Sequence, residues 1–259
     1  MLIDAHTHID QYGEELESVL KEIQTRKIYS VSVSMDIPSY HRTKAIAGSC
    51  PFILPAFGIH PWRAPEFEGE LTQLDPLIEE APMTGEIGLD YYFEENSDHY
   101  PEQRRLFDYQ LHQAASHEKI VNLHTKGAER EIVEKLEESG IRRSIVHWYS
   151  GPLDLIDRYL AAGAYFTIGV ELLFSEHIRQ VLEAIPTNRL LTETDNPTGY
   201  EWLAGKRGMP SILEKVVHEI ARLKDMTDSE VISLASDNFE SLISEAPSVK
   251  EQWFKAASQ

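Results

Sequence analysis

LIDAHTHID, residues 2–10, decides the reading of this chain. A short apolar run at residues 2–5 has the length and composition of a buried strand, and it meets two histidines one residue apart, His6 and His8. An extended backbone repeats every two residues, so both imidazoles leave it on one face. Taken alone, such a pair is equally a chance or structural feature. Its meaning depends on what ends the other strands.

Further runs of the same kind occur at residues 29–34, 52–57, 83–87, 120–123, 143–146, 164–168 and 189–192, which makes eight predicted strands. Between them lie helical patterns at residues 14–27, 70–80, 101–119, 128–140 and 152–163, and another after Phe174; past the eighth strand come two more, at residues 211–224 and 229–243. Pro101 sits at a helix start, and Gly140 and Gly163 follow helix ends, as capping favours. The alternation predicts an α/β fold, a (β/α)8 TIM barrel, with functional groups at the C-terminal ends of the strands. Residues 1–245 are expected to form one domain and residues 246–259 a polar C-terminal tail.

Composition narrows the function classes. The 259 residues are 42% hydrophobic and 26% charged, an ordinary globular balance. One cysteine, Cys50, excludes an internal disulfide, and no apolar run reaches the roughly 18 residues of a membrane span. With no secretory leader pattern at residue 1, a cytoplasmic protein without membrane contact or an obligate protein partner is expected. A net charge of −19 excludes a protein that coats nucleic acid with lysine and arginine, so any phosphate must be held locally.

The other strand ends carry Glu86 in GEIGLD, His124 in IVNLH, His147 in SIVH and Asp195 in ETDNP. Each has a plain alternative: a salt bridge for Glu86, a hydrogen-bonded core histidine for His124 or His147, a turn for Asp195. Jointly those alternatives are improbable. Six groups exceed the needs of one four-coordinate ion and suit two divalent ions sharing a bridging carboxylate and a bridging water. Nitrogen and oxygen donors without thiolate suit Zn, Mn, Fe or Ni better than Ca. Mg is also open.

His60 closes strand three at the same rim and is a candidate substrate contact. Lys126 follows His124 by two residues, and Lys206 and Arg207 follow Asp195; these are the candidate phosphate holders. Tyr91 and Trp148 belong to a group of loop aromatics that either stack on bases or pack the loops. Histidines 41, 99, 112, 117, 177 and 218 read as surface positions.

These motifs, together with FGIHP, QRRLFDYQLHQA, VHWYSG and NFESL, resemble the TatD family of metal-dependent hydrolases within the amidohydrolase-like superfamily, over residues 2–243. The resemblance implies one ion among His6, His8, Glu86 and Asp195 and another held by Glu86, His124 and His147, with Glu86 shared. It also implies a deoxyribonuclease with 3′-to-5′ exonuclease action on DNA, or alternatively a D-aminoacyl-tRNA deacylase acting on a carboxylic ester. A non-catalytic metal-binding protein is the remaining alternative. The expected chemistry is attack by a metal-bridging hydroxide, with Glu86 and Asp195 catalytic, Lys126 and Arg207 gripping phosphate, and Tyr91 or Trp148 stacking a nucleotide. Lys126 stands where the family commonly has arginine, and Gly208 and Met209 precede Pro210 where an Asn-x-Pro segment is usual.

Overall fold

In a computed structural model describing residues 1–67 and 69–259, eight parallel strands follow one another around the sheet in chain order. They are β1 (Leu2–Thr7), β2 (Ile28–Val33), β3 (Ile53–Phe57), β4 (Met83–Asp90), β5 (Val121–Lys126), β6 (Ser144–Val146), β7 (Ala164–Ile168) and β8 (Leu190–Thr192). Past β8 the chain returns to β1: Asp195 N–H donates to His6 O at 3.0 Å and His8 N–H to Asn196 O at 2.8 Å. The (β/α)8 TIM barrel is therefore the fold of this chain.

Buried β-branched and aromatic residues explain why the strands form, since both of their faces are covered. β4 and β5 run three residues beyond their expected ends, because Asp90 and Lys126 stay paired across the sheet. The register slips between Asp4 and Thr7 in β1 and between Thr84 and Ile87 in β4. Such irregularities re-aim side chains, and these two bracket His6 and Glu86.

The expected helices appear as α1 (Leu16–Arg26), α3 (Asp75–Glu80), α4 (Tyr100–Ser116), α5 (Glu129–Ser139), α6 (Ile156–Ala161) and α7 (Glu176–Ala184), followed by α9 (Ile212–Lys224) and α10 (Asp228–Leu242). Two more were not foreseen. α2 (Ile37–Ala47) lacks a strong amphipathic pattern but starts from a capping box in which Asp36 Oδ1 accepts from Ser39 N–H at 2.7 Å. α8 (Thr198–Ala204) follows ETDNP directly.

The expected polar tail is a correction. Residues 247–257 form α11 (Pro247–Ala257), which buries Val249, Trp253 and Ala256 at helical spacing. Trp253 meets Tyr29 and Phe239 at ring-centroid distances of 5.0 and 5.3 Å. Its apolar stripe is narrow, and the polar residues around it disguise the helix in the sequence. No helix among the described residues is long and apolar enough to cross a membrane.

Candidate active site

At the C-terminal ends of the strands, β1, β4, β5 and β6 and the turn after β8 bring His6, His8, Glu86, His124, His147 and Asp195 to one point, all of them buried except the part-exposed Asp195. Close approach of backbones makes this possible. A Cβ on Gly85 would lie 2.6 Å from Asn122 Cβ, and one on Gly88 would lie 1.9 Å from His124 O. Only glycine lets β4 present Glu86 so near to β5.

Glu86 is shared between two sets of nitrogens. Its Oε1 lies 2.7 Å from His124 Nδ1 and 3.1 Å from His147 Nε2, with His60 Nε2 at 3.7 Å. Its Oε2 lies 3.5 Å from His6 Nε2 and 3.6 Å from His8 Nε2. Asp195 Oδ1 faces the second set, 3.5 Å from His6 Nε2 and 3.3 Å from His8 Nε2. The rings of His6 and His147 stack, with centroids 3.6 Å apart and planes inclined by 12°.

Residues that the sequence reading passed over orient these rings. Asn122 uses its Nδ2–H on Ala5 O, so its Oδ1 accepts from His6 Nδ1–H at 2.9 Å. Glu193 Oε2 accepts from His147 Nδ1–H at 3.2 Å, and Asp90 Oδ2 from His124 Nε2–H at 2.9 Å. In each case the acceptor keeps a proton on the outer nitrogen, so the inner nitrogen is the one that faces the site and can act as a ligand once its own proton is displaced. His6 Nε2 is buried without a hydrogen-bond partner. A buried, unpaired ring nitrogen aimed between two carboxylates is what a cation would satisfy.

Electrostatics point the same way. Burial would raise the Glu86 pKa, but the surrounding histidines outweigh it and hold the group well below the usual carboxylate range. Asp195 is lowered likewise, burial being outweighed by His8, His6 and His147. Burial disfavours the His147 imidazolium, yet the charges of Glu193 and Glu86 push its pKa up to about 10. His8 and His124 are also raised against burial, by Asp195 for the first and by Asp90 and Glu86 for the second. His60 differs: burial pushes it down to about 3. Its Nδ1 accepts from Trp62 N–H at 3.2 Å, so the neutral ring keeps its proton on the Nε2 that faces Glu86.

Backbone strain gathers here as well. Trp148 (φ +41°) and Asp195 (φ +50°) occupy the left-handed region without being glycine. Trp148 N–H is held by Glu193 Oε1 at 3.0 Å, and Asp195 N–H by His6 O.

Above the cluster opens a cavity of about 880 Å³ lined by His60, Lys126 and Trp148. Lys126 donates to Trp148 O at 2.6 Å and to Ser150 Oγ at 2.9 Å. Its pKa is lowered because burial disfavours the ammonium, against the pull of Glu171, Glu193, Asp195 and Glu129. Two expected contacts lie elsewhere. Tyr91 turns outward to donate to Glu131 Oε2 at 3.0 Å beneath Arg104, and Tyr92 lines the cavity instead. Arg207 is drawn to Gln11 O and Glu15, where its guanidinium pins the loop after β8. His177, expected at the surface, lines the cavity and binds Gly151 O at 3.0 Å.

A TIM barrel with a histidine and carboxylate cluster at its strand ends defines a scaffold suited to holding divalent metal. The family model described as TatD related DNase matches residues 3–244, and the chain belongs to that family. It is 30% identical to a Bacillus subtilis protein named uncharacterized metal-dependent hydrolase YabD, over 92% of this chain and 97% of that one. It is 25% identical to human deoxyribonuclease TATDN3, over 92% of each chain. Among solved structures, the Escherichia coli TatD homolog YJJV superposes with a TM-score of 0.84 at 24% identity, covering 93% of this chain and 97% of that one.

Proposed function

We propose that this metal-dependent hydrolase cleaves phosphodiesters at the 3′ end of DNA, working in the 3′-to-5′ direction. The observation that carries the reading is the division of Glu86, one oxygen toward His6 and His8 and the other toward His124 and His147. His6, His8, Asp195 and Glu86 would hold one divalent cation, and Glu86, His124 and His147 a second. Such cations, when bound, supply Lewis acidity that makes water a nucleophile near neutral pH and offsets charge on phosphoryl oxygens. Asp195, kept ionised beside His8, takes the proton of the attacking water and returns it to the leaving oxygen. His60, a neutral donor through Nε2, hydrogen-bonds a non-bridging oxygen, and Lys126 has one N–H left for the same purpose. Trp148 offers a ring at the cavity wall. The human relative's name supports DNA as the substrate class.

A second reading, hydrolysis of an aminoacyl ester, is favoured by one observation: Glu129 and Glu171 make the Lys126 side of the cavity acidic, a setting that attracts an ammonium. The test is bound-metal content measured alongside release of mononucleotides from 3′-labelled single-stranded DNA, before and after chelation, with D-aminoacyl-tRNA in parallel. Chelator-sensitive release of mononucleotides supports the first reading, and release of free amino acid alone moves the assignment to the second. Absence of any chelator-sensitive turnover overturns both.

A further inference from the structure

Around the mouth of the cavity, four aromatic rings form a continuous arc. Trp62 meets Phe93 at 6.3 Å between centroids, Phe93 meets Trp202 at 5.9 Å, and Trp202 meets Trp148 at 6.2 Å, each edge to face. Tyr92 stands edge-on to Phe93 at 4.8 Å. Trp148 is buried, but the other rings are not packing the loops: Tyr92 is 72% exposed, Trp202 64%, Trp62 45% and Phe93 42%. Aromatic surface left in water beside a functional site marks a binding surface, and its continuity with the Glu86 cluster through one cavity fixes where an occupant's reacting end would lie.

Charge identifies what the arc can hold. Among the described residues lining the cavity, Lys126 is the one lysine or arginine, and two of its N–H groups are already taken by Trp148 O and Ser150 Oγ. Glu129 and Glu171 lie on the same wall, and the chain carries a net charge of −19. A surface of this kind has no track for successive phosphates. The cavity of about 880 Å³ is also near the top of the roughly 300–1,000 Å³ range of small-molecule pockets rather than a polymer groove.

We infer that the protein recognises the end of a nucleotide chain through a nucleobase stacked in the ring of Trp202, Phe93, Tyr92 and Trp62, and makes little use of phosphates beyond the scissile one. The inference rests on the proposed phosphodiesterase reading and narrows it: a dinucleotide is a complete substrate. Stacking is indifferent to chain length and is weakly screened by salt, whereas phosphate tracking is neither.

The test compares thymidine dinucleotide with a 20-nucleotide single strand between 50 and 200 mM salt, for the manganese-loaded wild type, Trp202→Ala and Trp202→Phe, with dinucleotide binding followed separately by quenching of tryptophan fluorescence. The expected results are kcat/KM values for the two substrates within a few-fold of each other and a nearly flat salt dependence. Trp202→Ala should raise KM on the order of 10-fold, more than it lowers kcat, and Trp202→Phe should restore it. A 20-nucleotide strand preferred by 10-fold or more, with kcat/KM falling steeply with salt, overturns the inference, as does an unaltered KM in Trp202→Ala. If neither substrate is cleaved but the dinucleotide quenches fluorescence in a Trp202-dependent way, the reaction assignment fails and the base-binding arc stands. No cleavage and no quenching overturns both.

Discussion

Asp90 accepts a hydrogen bond from His124 Nε2–H at 2.9 Å, and this contact fixes which nitrogen of His124 faces Glu86. The same carboxylate accepts from Trp62 Nε1–H at 2.9 Å and from the backbone N–H groups of Phe93 and Tyr92 at 2.7 and 3.0 Å. One side chain therefore couples the floor of the site to its aromatic rim. Asp90→Asn can keep the backbone bonds through its oxygen, but its amide then confronts two N–H donors. His124 would move its proton to Nδ1 and lose the lone pair directed into the site. Affinity for the second cation should fall about 10- to 100-fold, with the first retained. Calorimetric titration of metal checks this, and an unchanged second affinity refutes it.

Glu86→Ala removes the oxygens that both histidine sets face. Occupancy of two ions should fall to one or none, with hydrolysis down by about 100- to 1000-fold or more. Elemental analysis beside a turnover assay decides; two retained ions with full activity would remove Glu86 from the role assigned to it.

The raised pKa values of His147, His8 and His124 make metal binding a proton exchange. At pH 7 the metal-free site holds protons that cations must displace. Affinity should therefore rise with pH toward about 10, the value to which His147 is pushed. Stability of the metal-free protein should run oppositely. A pKa raised on folding contributes stability below the unfolded value of about 6.5, and that contribution is lost as pH climbs through about 10. Titration in buffers of different ionisation heat should show net proton release, and thermal melts of chelated protein should fall between pH 7 and 10. Absence of proton release at pH 7 would refute the assignment.

The strand-end logic located the six groups that the barrel gathers because each is a polar residue closing an apolar run. It could not locate Asn122, Asp90 or Glu193, whose importance lies in what they orient across the barrel rather than in their own spacing. Tyr91 and Arg207 were misplaced for related reasons. Glu86, Asp90 and Tyr92 are separated by even steps along one extended segment, so Tyr92 continues the site-facing row while Tyr91 falls on the opposite side and reaches Glu131. Arg207 lies near Asp195 in sequence, but Glu15 offers its charge a nearer partner.

Gly88 is the tightest backbone approach beside the site. It pairs with His124, has φ +153°, and would place a Cβ 1.9 Å from His124 O. That oxygen cannot give way without moving β5. Gly88→Ala should therefore displace His124, so that metal stoichiometry falls and the melting temperature drops together. Native values of both would show that β5 is more pliant than its packing implies.

Far from the cluster, Trp253 tests whether α11 is part of the barrel's stability. The ring is fully buried against Tyr29 of β2 and Phe239 of α10, and its Nε1–H donates to Glu240 at 3.1 Å. Because β2 is a barrel strand, the helix covers the sheet rather than trailing from it. Trp253→Ala should cost about 3–5 kcal/mol, the usual loss when a large aromatic leaves a close-packed core. Replacement by phenylalanine should recover much of this. Urea unfolding gives the magnitude, and metal affinity in native buffer should stay near that of the wild type, since no candidate ligand touches the helix. A loss below 1 kcal/mol would mean that α11 frays from the barrel in solution and that residues 247–257 behave as a tail.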